Sequence, residues 1–111
     1  MTKLRNLFEI PVSDIDDELT ENLVEGNTRI ERIISTGQTT PAGQWLDQEF
    51  DEWVVLLNGQ ATLLFEDNEE IKLTKGDYIL IKAHEKHRVT YTSAEPPCVW
   101  LAVHGKLSLV S

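Results

Sequence analysis

An all-β fold, a sandwich or a barrel, is what this chain of 111 residues predicts. Three observations carry that expectation. Apolar side chains recur at every second position through most of the sequence from Arg29 onward, the period of a strand with one buried face. Turn chemistry (Asn-Gly, Asp-Asn, Lys-Gly-Asp) interrupts the alternation every eight to twelve residues or so, the spacing of short-stranded sandwiches and barrels. No repeat, low-complexity stretch or internal linker divides the chain, and its length suits one compact domain.

The elements follow in order. Ile15, Leu19 and Leu23 fall four apart behind Ser13 as an N-cap, with Asp14, Asp16 and Asp17 in the first turn and Gly26 at the end. This predicts a short amphipathic helix over Ser13–Glu25. Residues 1–27 are therefore expected to form an N-terminal extension, a strand and a short helix packed on the barrel, and residues 28–111 the barrel itself. Ile30, Arg32 and Ile34 alternate with Arg29, Glu31 and Ile33, which suits a strand. The runs Glu52–Leu57 and Gln60–Phe65 flank Asn58-Gly59, and Asn-Gly suits the positive φ angles of a type I′ turn, which predicts a hairpin. Glu66–Glu69 is a turn, after which Ile71 and Leu73 alternate with Lys72. Lys75-Gly76-Asp77 turns the chain into Tyr78–Ile81. His87, Val89 and Tyr91 alternate with Arg88, Thr90 and Thr92, and Cys98–His104 forms the last strand after a break at Ser93–Pro97.

Composition excludes several classes of function. Nineteen acidic against ten basic residues leave a net charge of −9, which disfavours nucleic acid, since phosphate binding needs a basic face. The longest apolar stretch, Trp53–Phe65, is too short to span a bilayer and is interrupted by Asn58, Gly59 and Gln60, and no basic, then apolar leader opens the chain. One cysteine, Cys98, cannot close an internal disulfide, so a reducing compartment, the cytoplasm, is expected. Thr36–Glu70 holds eight acidic residues and no Lys or Arg. Such a run is ordinarily a solvated surface, and it gathers ligands for a cation only where a strand turns a carboxylate inward.

Two segments together resemble the cupin family, whose small barrels carry paired motifs on facing strands. From the first motif Gly43, Glu52 and Gly59 are present, with the family's spacing between Glu52 and Gly59. From the second, Gly76 and His87 stand at the right separation, with Lys82, His84 and Tyr91 where the family has Pro, Gly and Asn. The resemblance covers about residues 28 to 104. It implies a double-stranded β-helix, a jelly-roll-like barrel of the RmlC-like cupin superfamily, with the helical extension at its N-terminus. It also implies a homodimer, because small cupins commonly pair and exposed strand edges need cover, with Leu7, Phe8 and Ile10 crossing between barrels.

The family's metal motif is only partly kept. Counting back from Glu52, the two motif histidines fall on Leu46 and Gln48 with one permitted gap, and on Trp45 and Asp47 with the other. The surviving metal set is Gln48, Glu52 and His87, with Asp47 and His104 as possible additions. An amide, a carboxylate and an imidazole can hold a divalent Fe, Mn, Ni or Zn, less tightly than the family's histidines. Each member also has a plainer role: Glu52 at the rim, Gln48 bonded to backbone, His87 satisfied inside the barrel, His104 at the rim. His84 tolerates the positive φ of the glycine it replaces and suits a turn. Tyr91 and His84 are the candidate proton carriers, and Trp45, Val89, Tyr91 and Trp100 the candidate pocket wall. Lys82, Lys86 and Arg88 could draw an anion to the mouth or simply be solvated. Three functions stay open: a barrel holding a small polar molecule and a divalent metal, a metal-free ligand-binding or regulatory barrel, and a metal-independent isomerase or epimerase. The last uses a histidine with a carboxylate partner and needs a His and an Asp close together in the barrel.

Overall fold

The computed structural model describes residues 2–10 and 17–110. It contains eight strands: β1 (Leu19–Val24), β2 (Arg29–Ser35), β3 (Asp51–Asn58), β4 (Ala61–Phe65), β5 (Glu70–Leu73), β6 (Tyr78–Ile81), β7 (His87–Thr92) and β8 (Cys98–Gly105). They form a five-stranded sheet ordered β1-β2-β8-β3-β6 and a three-stranded sheet ordered β5-β4-β7, with every pairing antiparallel. Inward side chains of both sheets meet in one core around Val54, Leu56, Leu63, Phe65, Ile81 and Trp100. Each such side chain contributes about 1.5–3 kcal/mol by leaving water, and together they fix which face of each strand is inside. No helix among the described residues is long and apolar enough to cross a membrane.

Three expectations are corrected. The helix expected over Ser13–Glu25 is not formed across its C-terminal half: Leu19–Val24 is β1, an edge strand paired with β2, and no described residue is helical. Ser13, Asp14, Ile15 and Asp16 lie outside the described residues. The error has a simple source. A spacing of four is close to one helical turn, but it is also even, so Leu19 and Leu23 share a strand face as readily as a helix face. Leu19 lies opposite Ile34, Thr20 opposite Ile33 and Glu21 opposite Arg32.

Asn58-Gly59 is not a hairpin turn. β3 pairs with β6 and β8 while β4 pairs with β5 and β7, so the link is a corner that carries the chain from one sheet to the other. Gly59 has φ +92° and Asn58 is not in the left-handed region, whereas a type I′ turn needs both. A Cβ on Gly59 would meet the Cys98 Cα at 2.9 Å, so the corner packs directly beneath β8.

Tyr91 does not share the inward face of His87 and Val89. Thr62 lies opposite Tyr91 but Leu63 lies opposite Val89, which makes Thr90 the extra residue of a β-bulge. The bulge reverses the phase: Tyr91 is 49% exposed and Thr92 is buried.

Candidate functional site

Between the sheets lies a cavity of about 210 Å³. The five-stranded sheet lines it with Thr20 (β1), Glu31, Ile33 and Ser35 (β2), Glu52 and Val54 (β3), Ile81 (β6) and Trp100 (β8). The facing sheet adds Leu63, His87 and Val89, and the connections add Glu18, Leu46 and Gln48. Strand alternation explains the polar members: Glu31 is in phase with Ile33 and Ser35, and Glu52 with Val54, so a carboxylate is carried inward on each strand.

The long connection before β3 is stitched to β7 at one point. Leu46 and His87 form an isolated antiparallel bridge, with N–H to carbonyl distances of 2.8 and 3.1 Å. Of the positions given by the two motif gaps, Leu46 and Gln48 line the cavity and Trp45 and Asp47 do not, although Leu46 is itself 38% exposed. Gln48 Nε2 donates to Glu52 Oε1 at 3.3 Å, and Gln48 Oε1 is buried with no hydrogen-bond partner. His87, itself buried, donates from Nδ1 to the Glu85 carbonyl at 2.9 Å. In the neutral ring that bond selects the tautomer in which Nε2 keeps a lone pair.

Glu52, 6% exposed, sits between these groups and a second cluster. Burial pushes its carboxyl above the usual glutamate range; His104, His87 and the Gln48 amide oppose this, and Glu31 adds to it. His104 Nε2 lies 2.8 Å from Glu31 Oε1 and 3.8 Å from Glu52 Oε2, with all three residues buried. Sequence reasoning weighed His104 for the rim and did not single out Glu31. The alternation of β2 was the signal that places Glu31 on the Ile33 face.

The structure thus brings Gln48, Glu52 and His87 to one cavity, with Val89 and Trp100 in its wall, and adds His104 through Glu31 and Glu52. It sets the other candidates apart. Asp47 is bonded to His84 at 2.8 Å on the surface, and His84 holds φ +63° in a turn. Trp45, 37% exposed, lies under the Arg88 guanidinium at 5.7 Å. Tyr91 faces outward beyond the bulge. Lys82 pairs with Asp51 at 3.2 Å and Lys86 with Glu66 at 3.7 Å, and no Lys or Arg is among the described residues lining the cavity. Cys98 is fully buried and donates to the Gln60 carbonyl at 3.1 Å.

The geometry has counterparts in solved structures. A candidate mannose-6-phosphate isomerase of Ralstonia eutropha JMP134 is 41% identical, with a TM-score of 0.88 over 96% of this chain and 100% of that one. An RmlC-like cupin protein of Desulfovibrio desulfuricans is 18% identical, with a TM-score of 0.72 over 96% and 100% of the two chains. An RmlC-like cupin family protein with a double-stranded β-helix fold from Methanocaldococcus jannaschii is 16% identical, with a TM-score of 0.68 over 95% and 94%. A comparison with curated proteins finds no match. The cupin domain profile matches residues 33–104, from the middle of β2 to the penultimate residue of β8. The chain belongs to the cupin domain family.

Proposed function

We propose that this cupin binds a small polar molecule in the barrel cavity, held between Glu52 on one sheet and His87 on the other. The observation that carries this reading is the chemistry of those two groups. A carboxyl whose proton affinity is raised by burial and an imidazole whose Nδ1 is engaged by the Glu85 carbonyl face a cavity of about 210 Å³ whose apolar wall includes Val54, Leu63, Ile81 and Trp100. Polar groups that converge against an apolar wall are what a small-ligand site needs. The Gln48 Oε1 atom, Glu52 and His87 Nε2 are also donors that a divalent Fe, Mn, Ni or Zn accepts, and the buried, unpartnered Gln48 oxygen supports that fit. A metal there would act as a Lewis acid on a ligand oxygen. This chain's part would be to orient the ligand and exchange a proton at Glu52.

An isomerase or epimerase is the second reading. It is favoured by the His104–Glu31 contact, a histidine beside a carboxylate, and by the name of the Ralstonia protein. Against a sugar phosphate stands the lining itself, which includes Glu18, Glu31 and Glu52 and, among the described residues, no Lys or Arg. A phosphate dianion there would meet like charge without a partner. A metal-free regulatory barrel would use the same cavity with no turnover. The reading carries a homodimer and a cytoplasmic location with it, the latter from the lone buried Cys98.

The test follows the His87 ring protons by NMR while D-mannose or mannose 6-phosphate is added, with conversion to the ketose scored in the same tubes. Binding in the cavity predicts shifts with the neutral sugar that disappear in Glu52→Gln. Turnover of the phosphate ester, lost in the same variant, would replace this reading by the isomerase. Ligand-induced shifts outside the cavity alone would refute it.

A further inference from the structure

Glu31, Glu52 and His104 lie on the three central strands of the larger sheet, β2, β3 and β8. Glu52 and His104 are direct cross-strand partners, and Glu31 lies diagonally across from His104, opposite Ala102. Register and alternation therefore fix all three on the inward face without help from a loop. One ligand atom from each falls within 4.8 Å of the others, and the residues are 9%, 6% and 6% exposed respectively. Arg29 approaches Glu31 Oε2 at 3.8 Å from the solvent side, while Oε1 is turned to His104.

We propose that this trio is the seat of a divalent transition-metal cation, displaced from the motif position toward β2 and β8. The proposal rests on the reading of Glu52 as a ligand-facing group and changes its partners from His87 to Glu31 and His104. Two carboxylates and an imidazole form a common donor set for Zn, Mn or Fe, and donors about 2.0–2.2 Å from one metal stand roughly 3–3.5 Å apart. The spacings of 2.8 and 3.8 Å from His104 Nε2 bracket that range, and the two carboxylates, within 4.8 Å of each other, would close on the ion by side-chain rotation.

A second observation points the same way. Gln48, whose Oε1 is buried and unpartnered, touches Glu52 and borders, together with Glu31 and His104, the cleft that flanks the trio. It offers a fourth, oxygen donor. Burying two carboxylates side by side is costly unless a cation compensates them. The acidic, Lys- and Arg-free segment Thr36–Glu70 thereby turns one of its carboxylates, Glu52, onto a partner from β2.

The experiment titrates the full chain, stripped with chelator, with Mn²⁺ while the ring protons of His104 and His87 are followed by NMR. The trio predicts that His104 broadens at sub-stoichiometric Mn²⁺ well before His87. Calorimetry with Zn²⁺ should find one site, weakened tenfold or more in Glu31→Gln and in His104→Gln, and within threefold of the parent in His87→Gln. Broadening of His87 first, with affinity lost in His87→Gln alone, would overturn the displaced seat and leave the motif set. Absence of binding by both methods would overturn any metal at Glu52, while sugar-induced shifts at His87 would still stand as the separate test of the cavity. The broadening needs no variant, so misfolding of Glu31→Gln or His104→Gln does not decide the outcome.

Discussion

Glu52 shows how one buried carboxyl ties stability to pH. Its folded protonation range lies above the ordinary 4.5, chiefly because it has left water. Between 4.5 and that raised value the folded chain binds the proton more tightly than the unfolded chain does, so stability falls as pH rises through this window. Glu52→Gln, measured in chelator, lacks this loss: its Tm is expected to exceed the parent's at pH 8, with the gap closing toward pH 4. A constant gap across pH would refute the buried-carboxyl account. Its neighbour Asp51 behaves in the opposite sense. Backbone N–H groups of Leu107 and Ala83 donate to its two oxygens, each at 2.8 Å, and hold its carboxyl below the ordinary 3.8. A lowered value contributes stability above 3.8 that is lost as pH falls through the folded value. Asp51→Asn is therefore expected to melt lower than the parent at pH 7 and to converge with it in acid, as thermal scans across pH would show. Which residues face the cavity was legible where alternation was unbroken: Glu52 and His87, which the motif spacing singled out, both line it. Gln48 was one of two choices, and of the two positions it is the one that lines the cavity. Glu31 escaped notice because no motif contains it.

At the scale of elements, local signals located strands well but said little about which strand pairs with which. Seven strands from β2 to β8 match the alternating runs within about a residue or two, as expected where one face is buried. Three places defeated local reasoning for three physical reasons. In β1 the spacing of four suits both periods, and pairing to β2 decided it. At Gly59 a turn-forming dipeptide serves a corner, because the contact that requires glycine lies across the barrel at Cys98. In β7 an extra residue, Thr90, reverses the phase after Val89, and the alternating sequence carries no mark of it. The corner gives a sharp test. Gly59→Ala adds a methyl 2.9 Å from the Cys98 Cα at φ +92°, combining left-handed strain with overpacking against backbone. A loss of about 2–4 kcal/mol is expected from urea unfolding. Gly76, at φ +92° with open space around its Cβ position, has the strain alone, so Gly76→Ala should cost about 1–2 kcal/mol. Equal costs at the two positions would refute the contact argument.

For the whole molecule the outer face of the larger sheet poses the main question. Trp53 and Tyr78 sit there with ring centroids 5.3 Å apart, beside a groove bordered by Leu80, Val103, Leu107 and Leu109. The N-terminal segment is anchored to the same sheet through Arg32, which is buried and donates from Nη1 to the Leu7 and Glu9 carbonyls at 3.0 and 2.9 Å and from Nε to Glu21 at 2.9 Å. An arginine in that position satisfies the backbone of a segment that has no strand to pair with. Phe8 stays 56% exposed, while Leu7 is half-buried. An exposed aromatic on a segment anchored to the sheet that also carries an apolar groove is what a second copy of the chain would cover. The proposed homodimer then predicts sedimentation at twice the 12.6 kDa chain mass. Deleting residues 1–11 should shift the protein toward monomer or aggregate and lower stability by about 1–3 kcal/mol, since the buried Arg32 guanidinium loses two acceptors. Phe8→Ser separates the two effects. It leaves the Arg32 contacts, which run to backbone carbonyls, and removes only the exposed ring. If Phe8 belongs to the interface, the variant should dissociate at concentrations where the parent stays paired, with the unfolding midpoint of its monomer unchanged. A full-length chain that sediments as a monomer throughout the micromolar range would remove the dimer, and would leave the Arg32 anchor as the sole role of the segment.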